Sequence, residues 1–365
     1  MAEIDLSAFS ENLCQVQKRV CPAGILAMVK ANAYGHGSIA IARLLEKHRV
    51  ALLGVAYLEE AIPLREGGIT LPIVVMTGVR ADQISEAIRY NLTPVVFNRE
   101  SLSYLSHYAQ RYHKVIKVHL KIDTGMGRLG VSVREAQSFI EEAYHQEGLY
   151  IEGVMSHFSD ADLRDLSFAQ GQVEAMEGIW GAMHQANIQV PYCHIANSAA
   201  IIRLASAHFN LVRPGLMLYG YSPVVGGSEV SLKPVMQIKT RVLSIKRVPA
   251  GVSISYGRTF VTQKESMIAA LSIGYADGYP RLLSNQGVVI AKGVRVPVIG
   301  RVCMDMTMVD VTQVPSLAIG DWVTVLGAEG EADVWAGEIA DWAHTIPYEI
   351  LCGIRDRIPR VYIHE

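Results

Sequence analysis

Cysteine is scarce in this chain, and neither sign of charge dominates it. Five cysteines occur in 365 residues, Cys14, Cys21, Cys193, Cys303 and Cys352. Their odd number and wide spacing argue against a disulfide framework and point to reduced thiols in a cytoplasmic compartment. The 33 lysines and arginines face 35 aspartates and glutamates, a formal net charge of -2. That balance gives no electrostatic reason to expect nucleic acid or an anionic membrane as partner. No apolar run approaches transmembrane length. Residues 1–10 carry Glu3 and Asp5 and show neither a basic n-region nor an apolar h-region, so no secretory signal is expected. No G-x-G-x-x-G follows the first apolar run, which argues against a dinucleotide fold. Internal repeats, low-complexity tracts and metal-ligand spacings of histidine are also missing.

What is present is a large apolar fraction, 50% of residues, in a chain long enough for two domains. Short apolar runs near 25–29, 51–56, 73–76, 94–97, 115–122, 151–155, 193–196 and 211–216 read as strands. Amphipathic stretches such as 39–48, 82–90 and 134–146 separate them as helices. Eight strands alternating with helices match an α/β fold of (β/α)8 type better than an open doubly wound sheet. Residues 222–234 are rich in Pro, Gly and Ser and read as a linker. Beyond them the period changes to two: Ile238, Thr240 and Val242 alternate with Lys239 and Arg241, and Val294, Val296 and Val298 with Arg295 and Pro297. The expected organisation is therefore a barrel over residues 1–230 and a mainly β domain over residues 231–365. Met304, Met306 and Met308 form a period-two stripe that reads as a core strand face.

Unusual polar residues fall where the barrel strands end. Lys30 follows the first strand, Arg128 the fifth, His157 the sixth, Asn197 and Ser198 the seventh, and Arg213 ends the eighth, just before Pro214 and Gly215. All would open on one face, where barrel active sites sit and where the loops after strands 7 and 8 commonly hold phosphate. Ser198 and the Gly215 backbone suit that phosphate role. A lysine in an apolar mouth has its ammonium form disfavoured and can act as an amine nucleophile toward a carbonyl.

The chain resembles the bacterial alanine racemases, fold-type III pyridoxal-phosphate (PLP) enzymes, over nearly its whole length. The resemblance lies in Val29-Lys30-Ala31-Asn32-Ala33-Tyr34-Gly35-His36-Gly37, the 123–130 segment, Arg213-Pro214-Gly215, Ser255-Tyr256-Gly257-Arg258, the 274–281 segment beginning Gly274-Tyr275, Gly300-Arg301-Val302-Cys303-Met304-Asp305 and Tyr348-Glu349. It implies that Lys30 carries PLP as an internal aldimine. Tyr34, Ser198, Gly215, Leu216 and Tyr348 then resemble the phosphate-binding set, with Asn197 beside it. Arg213 resembles the partner of the pyridine nitrogen, and His157 the residue that lies near the cofactor and orders Arg213. An arginine stays protonated, so it would hold that nitrogen unprotonated.

Racemisation needs a base on each face of Cα. By the same resemblance Lys30 serves one face and Tyr256 the other, Arg128 clamps the substrate carboxylate, and Tyr275, Met304 and Asp305 line the substrate side. Lys121 matches a lysine carbamylated in many family members. Tyr256, Met304 and Asp305 are implied to reach the site of a second subunit, which makes the expected assembly a homodimer. The implied reaction interconverts L- and D-alanine and supplies D-alanine for peptidoglycan. A serine or broad-specificity racemase is the rival with the same chemistry.

Overall fold

The computed structural model describes residues 1–224 and 230–364. Part of the expected linker, residues 225–229, lies outside them. Of eight parallel strands, Gly24–Met28, Leu52–Val55, Ile73–Val75, Leu92–Val96, Ile116–Asp123, Leu149–Met155, Tyr192–His194 and Leu211–Val212, the first seven pair in chain order. The last returns to the first, with Leu211 opposite Gly24 and Val212 opposite Ile25. Between the seventh and eighth strands the seam is bridged by the Arg213 amide donating to the Ala196 carbonyl at 2.8 Å. The strands read as near-continuous apolar runs because both of their faces are covered, one by the barrel interior and one by helices. The eighth strand is shorter than its apolar run: Pro214 has no amide hydrogen to donate, and the chain turns at Gly215 into a 3-10 helix, Leu216–Tyr219.

The second sheet collects both ends of the chain. Its long strand, Met236–Val248, pairs with Trp322–Glu329 and Ser266–Leu271 on the carboxy-terminal side of the sequence. It also pairs antiparallel with Ala2–Asp5, which in turn runs parallel to Arg360–Ile363. The first four-residue strand thus belongs to the β sheet, and the helix Leu6–Val20 starts directly from it, capped by Asp5 accepting from the Ala8 amide at 2.9 Å. Asn12 on that helix holds the crossing: its amide donates to the carbonyls of Leu218 and Lys233 and its oxygen accepts from the Lys233 amide. The alternation read in the sequence is the burial pattern of Met236–Val248, with Ile238, Thr240 and Val242 inside. The methionine stripe is different. Met304 is 53% and Met306 42% exposed, and the strand begins only at Thr307, so these two lie on an open loop and not on a core face.

A short helix, Pro347–Cys352, carries the β domain back over the barrel mouth. Its closeness to the first strand's loop is set at Gly35, which has φ +83°, and where an added Cβ would sit 2.3 Å from the Leu351 carbonyl oxygen. Gly68 has a similar φ of +86° but open space around it. Gly35→Ala is therefore expected to lower the unfolding free energy by about 2 kcal/mol or more, and Gly68→Ala by about 1 kcal/mol, in urea titrations. Equal losses at the two positions would show that the approach at Gly35 is not tight.

Candidate active site

The first barrel strand ends at Met28, and Lys30 follows at the mouth. Residues 31–34 then take φ values of 51° to 53°, a left-handed turn made entirely of non-glycine residues. Such a turn costs roughly 1–2 kcal/mol per residue and persists only where its surroundings over-determine it. Here they do. The Ala31 amide donates to Glu60 Oε1 at 2.7 Å, while Glu60 Oε2 accepts from the Ala56 amide at 2.6 Å, so one carboxylate joins the loops after the first two strands. His36 Nδ1 lies 3.0 and 2.8 Å from the carbonyls of Ala33 and Tyr34, and Asn32 Oδ1 accepts from the Ser38 amide at 2.8 Å. Tyr219, fully buried, stacks on Tyr34 at 4.7 Å and donates to the Met28 carbonyl at 2.8 Å.

Lys30 lines a cavity of about 540 Å³ together with Tyr34, Tyr57, Thr77, Lys121, Arg128, His157, Asn197, Ser198, Arg213, Gly215, Leu216 and Tyr348. The apolar groove between the helices Ala136–Tyr144 and Ser167–Gln185 is smaller, about 320 Å³, and no lysine, arginine or histidine lines it. Burial, seconded by the charge of Arg128, lowers the Lys30 pKa from its ordinary value. The amine form is thereby favoured, as a nucleophilic lysine requires.

One end of the cavity is rich in donors. Ser198 Oγ accepts from the amides of Gly215 at 2.9 Å and Met217 at 3.4 Å, which leaves its own hydrogen free to donate. A Cβ at Gly215 would come within 2.5 Å of Tyr34 Oη, so glycine is what brings that hydroxyl beside the backbone. Asn197 caps the following helix by accepting from the Ala200 amide at 3.0 Å. Tyr348 lies 6.0 Å from Tyr34, ring to ring, and burial pushes its phenol up to about 12, so it remains a donor at neutral pH.

Arg213 is buried, and its guanidinium is held from several sides. One terminal nitrogen donates to His194 Nδ1 at 2.7 Å and to the His194 carbonyl at 3.0 Å. The other donates to the carbonyls of Ser156 at 2.7 Å and Ile195 at 3.0 Å and lies 3.2 Å from His157 Nδ1. Its Nε–H has no acceptor among the described residues. Burial lowers the Arg213 pKa to about 9, still charged at neutral pH. Burial and then Arg213 hold His157 well below the usual imidazole value, so it is neutral.

Lys121 and Arg128 line the same cavity. Burial, then Arg213 and Arg128, lower the Lys121 amine to about 8, and among the described residues no carboxylate forms an ion pair with it. The ordinary alternative, a barrel lysine neutralised by an acid, is thus not what the fold built. The loop bearing Arg128 is shaped by Asp123, whose carboxylate accepts from the amides of Gly125 and Gly127.

Tyr256, Tyr275, Met304 and Asp305 do not line this cavity. They lie on the β domain; Tyr256 is 71% exposed, and Asp305 pairs with Arg357 at 2.8 Å. Tyr57, Thr77, Glu60, Tyr219 and His194 were not singled out from the sequence. The strand that ends at His194, Tyr192–His194, is three residues long and carries no alternation that would mark that histidine.

Fold and site together define a barrel whose mouth gathers a strand-end lysine, a buried arginine and a donor-rich pocket, the architecture of a barrel enzyme. Family models described as alanine racemase, N-terminal domain, and alanine racemase, C-terminal domain, match residues 4–223 and 235–362, and the chain belongs to the alanine racemase family. It is 44% identical to the alanine racemase of Halothermothrix orenii over 99% of this chain and 96% of that one. It is 43% identical to that of Carboxydothermus hydrogenoformans, over 99% of each. Among solved structures, the alanine racemase of Clostridium difficile superposes with a TM-score of 0.94 at 35% identity, covering 99% of this chain and 95% of that one. The enzyme from Bartonella henselae, which carries covalently bound pyridoxal phosphate, superposes at 0.89 with 30% identity, covering 100% and 99%. The family is PLP-dependent, and the residues present fit that cofactor: an amine with a lowered pKa, a donor-rich end beside a glycine, and an arginine with one N–H free.

The sign of one titration can be checked. The Lys121 pKa is about 8 in the folded chain and 10.5 as its ordinary value, so the unfolded chain binds more protons between those limits and stability rises with pH there. Below about 8 the penalty of a buried charge is fully present. In cofactor-free protein kept free of bicarbonate, so that the amine is unmodified, Lys121→Met is expected to stabilise the fold at pH 7 by on the order of 1 kcal/mol and to lose that advantage near pH 10.5 in urea unfolding. An advantage independent of pH would mean that packing, not charge, sets it.

Proposed function

We propose that this chain is an alanine racemase that interconverts L- and D-alanine, with PLP held on Lys30. The observation that carries this is the joint presence in one cavity of a strand-end lysine and a buried arginine, with the Tyr256 motif on an exposed face of the β domain. PLP, when bound, supplies an electron-withdrawing system that lowers the cost of breaking the Cα–H bond. Everything else is work for side chains of this protein. Lys30 Nζ, once released by substrate, takes or returns a proton on one face of Cα; Tyr256 Oη does so on the other. Arg128 binds the substrate carboxylate. Tyr34, Ser198, the Gly215 and Leu216 backbone and Tyr348 hold the cofactor phosphate, Asn197 positions that end, and Arg213 with His157 holds the ring nitrogen. Tyr275, Met304 and Asp305 border the substrate.

Tyr256 does not line the cavity of its own chain and is exposed, so it is free to meet a second subunit. The complete site is accordingly read as shared within a homodimer, each subunit lending Tyr256, Met304 and Asp305 to the other. We place the barrel within residues 1–230 and the β domain within 231–365, the latter joined by the strand Ala2–Asp5. The near-neutral charge supports a small-molecule enzyme without nucleic-acid or membrane partners. No helix among the described residues is long and apolar enough to cross a membrane. A cytoplasmic supply of D-alanine to peptidoglycan is the role consistent with these features.

Mixing subunits tests the shared site. Lys30→Ala and Tyr256→Phe homodimers should each racemise poorly. After unfolding and refolding together, half the dimers are mixed and each holds one intact site, so about a quarter of wild-type racemisation should return. No recovery on mixing would show that both bases come from one chain. Lys121 is read as carbamylated, its carbamate orienting Arg128. Carbon-13 bicarbonate should give a carbamate NMR signal that Lys121→Met abolishes; an unchanged spectrum would refute the modification.

A further inference from the structure

Arg213 is the end of a polar chain whose other members do not line the cavity. His194 Nδ1 lies 2.7 Å from the guanidinium, and His194 Nε2 lies 2.8 Å from His119 Nδ1. His119 Nε2 faces Glu152 Oε2 at 3.5 Å, and Glu152 Oε1 accepts from Lys117 Nζ at 2.7 Å. Both imidazoles are completely buried and Glu152 nearly so, whereas Lys117 is half exposed. The line therefore runs from the cavity, through the barrel interior, to solvent beyond Lys117.

Hydrogen-bond chemistry gives this line one direction. A guanidinium only donates, so His194 Nδ1 must accept and its hydrogen must be on Nε2. That hydrogen meets His119 Nδ1, which must accept in turn, so the His119 hydrogen is on Nε2 and faces the carboxylate. Burial and the charge of Arg213 keep His194 neutral, and burial keeps His119 neutral. The last gap is long for a hydrogen bond, yet neither His119 Nε2 nor Glu152 Oε2 has another partner among the described residues.

The backbone is arranged to make the line possible. The fifth and sixth barrel strands pair Val118 with Ile151 and then His119 with Gly153, so Glu152 is the extra residue of a bulge. Bulges re-aim side chains, and this one turns a glutamate toward Lys117 and His119. At Gly153 a Cβ would stand 2.5 Å from His119 Nδ1, so any side chain there would displace the imidazole.

We propose that Glu152 is a positioning residue for Arg213. Acting through His119 and His194, the carboxylate selects one tautomer in each imidazole, keeps His194 Nδ1 an acceptor, and so holds the guanidinium aimed at the cavity. The proposal rests on the reading of Arg213 as partner of the cofactor's ring nitrogen. Without the carboxylate, His119 is free to carry its hydrogen on Nδ1. His194 must then place its own on Nδ1, where it opposes an arginine N–H.

The test uses the PLP-loaded protein with nitrogen-15 histidine and, separately, with PLP labelled at its ring nitrogen. Wild type should show His119 and His194 as single Nε2–H tautomers and the ring nitrogen unprotonated. Glu152→Leu should give tautomer mixtures at both histidines, a moved ring-nitrogen shift, and a several-fold rise in transamination per racemisation, with KM for alanine within about twofold of wild type. Glu152→Gln, whose amide can donate or accept, should give the same mixture in weaker form and serves if the leucine variant does not fold. Variants that melt earlier but leave the tautomers and the transamination ratio unchanged would reduce Glu152 to a structural residue and overturn the proposal. A protonated ring nitrogen in wild type would instead refute the reading of Arg213, while the tautomer shifts would still report on the Glu152 chain.

Discussion

A single buried guanidinium ties together the closure of the barrel and the electrostatics of its mouth. The backbone of Arg213 bridges the seam between the seventh and eighth strands, while its side chain engages three carbonyls and two imidazoles. A buried charge survives only when its donors are satisfied, so strands six, seven and eight must end where those acceptors are needed. Once placed, the charge acts on its neighbours. It is among the causes that lower Lys30, Lys121 and His157, three groups whose neutral forms the cavity favours. Fold closure and site chemistry therefore depend on the same residue.

The opposite wall is organised by strain and not by charge. The left-handed turn after Lys30 is unfavourable for each of its residues, and it is held by Glu60, Asn32, His36 and the stacked Tyr34–Tyr219 pair. The β domain contributes by lowering the Pro347–Cys352 helix onto Gly35, which sets Tyr348 beside Tyr34. That helix can reach the mouth because both chain ends share one sheet with Met236–Val248, which fixes the β domain against the start of the barrel.

Much of the fold was legible in the sequence because parallel strands covered on both faces leave continuous apolar runs, and the eight runs coincide with the eight barrel strands. The eighth was read too long, since its apolar residues continue past Pro214 into a 3-10 helix. The strand Ala2–Asp5 was invisible: it is four residues long and its partners lie more than two hundred positions away. The methionines at 304 and 306 had the period of a strand but sit on an exposed loop, because periodicity alone cannot tell an inner face from an open one.

By itself the sequence determined the alternation that forces a barrel, the lysine and arginine at its first and last strand ends, and the motifs that mark an alanine racemase. These are local: each depends on spacing within one strand or turn. Only the tertiary structure decided which polar residues meet. It brought His119 and His194 into line behind Arg213, turned Glu152 inward through a bulge, left Lys121 without an ion-paired carboxylate among the described residues, and kept Tyr256 out of its own chain's cavity. The reason is that hydrogen-bond partners, burial and charge neighbours are set by distances between strands, which a linear order of residues does not contain.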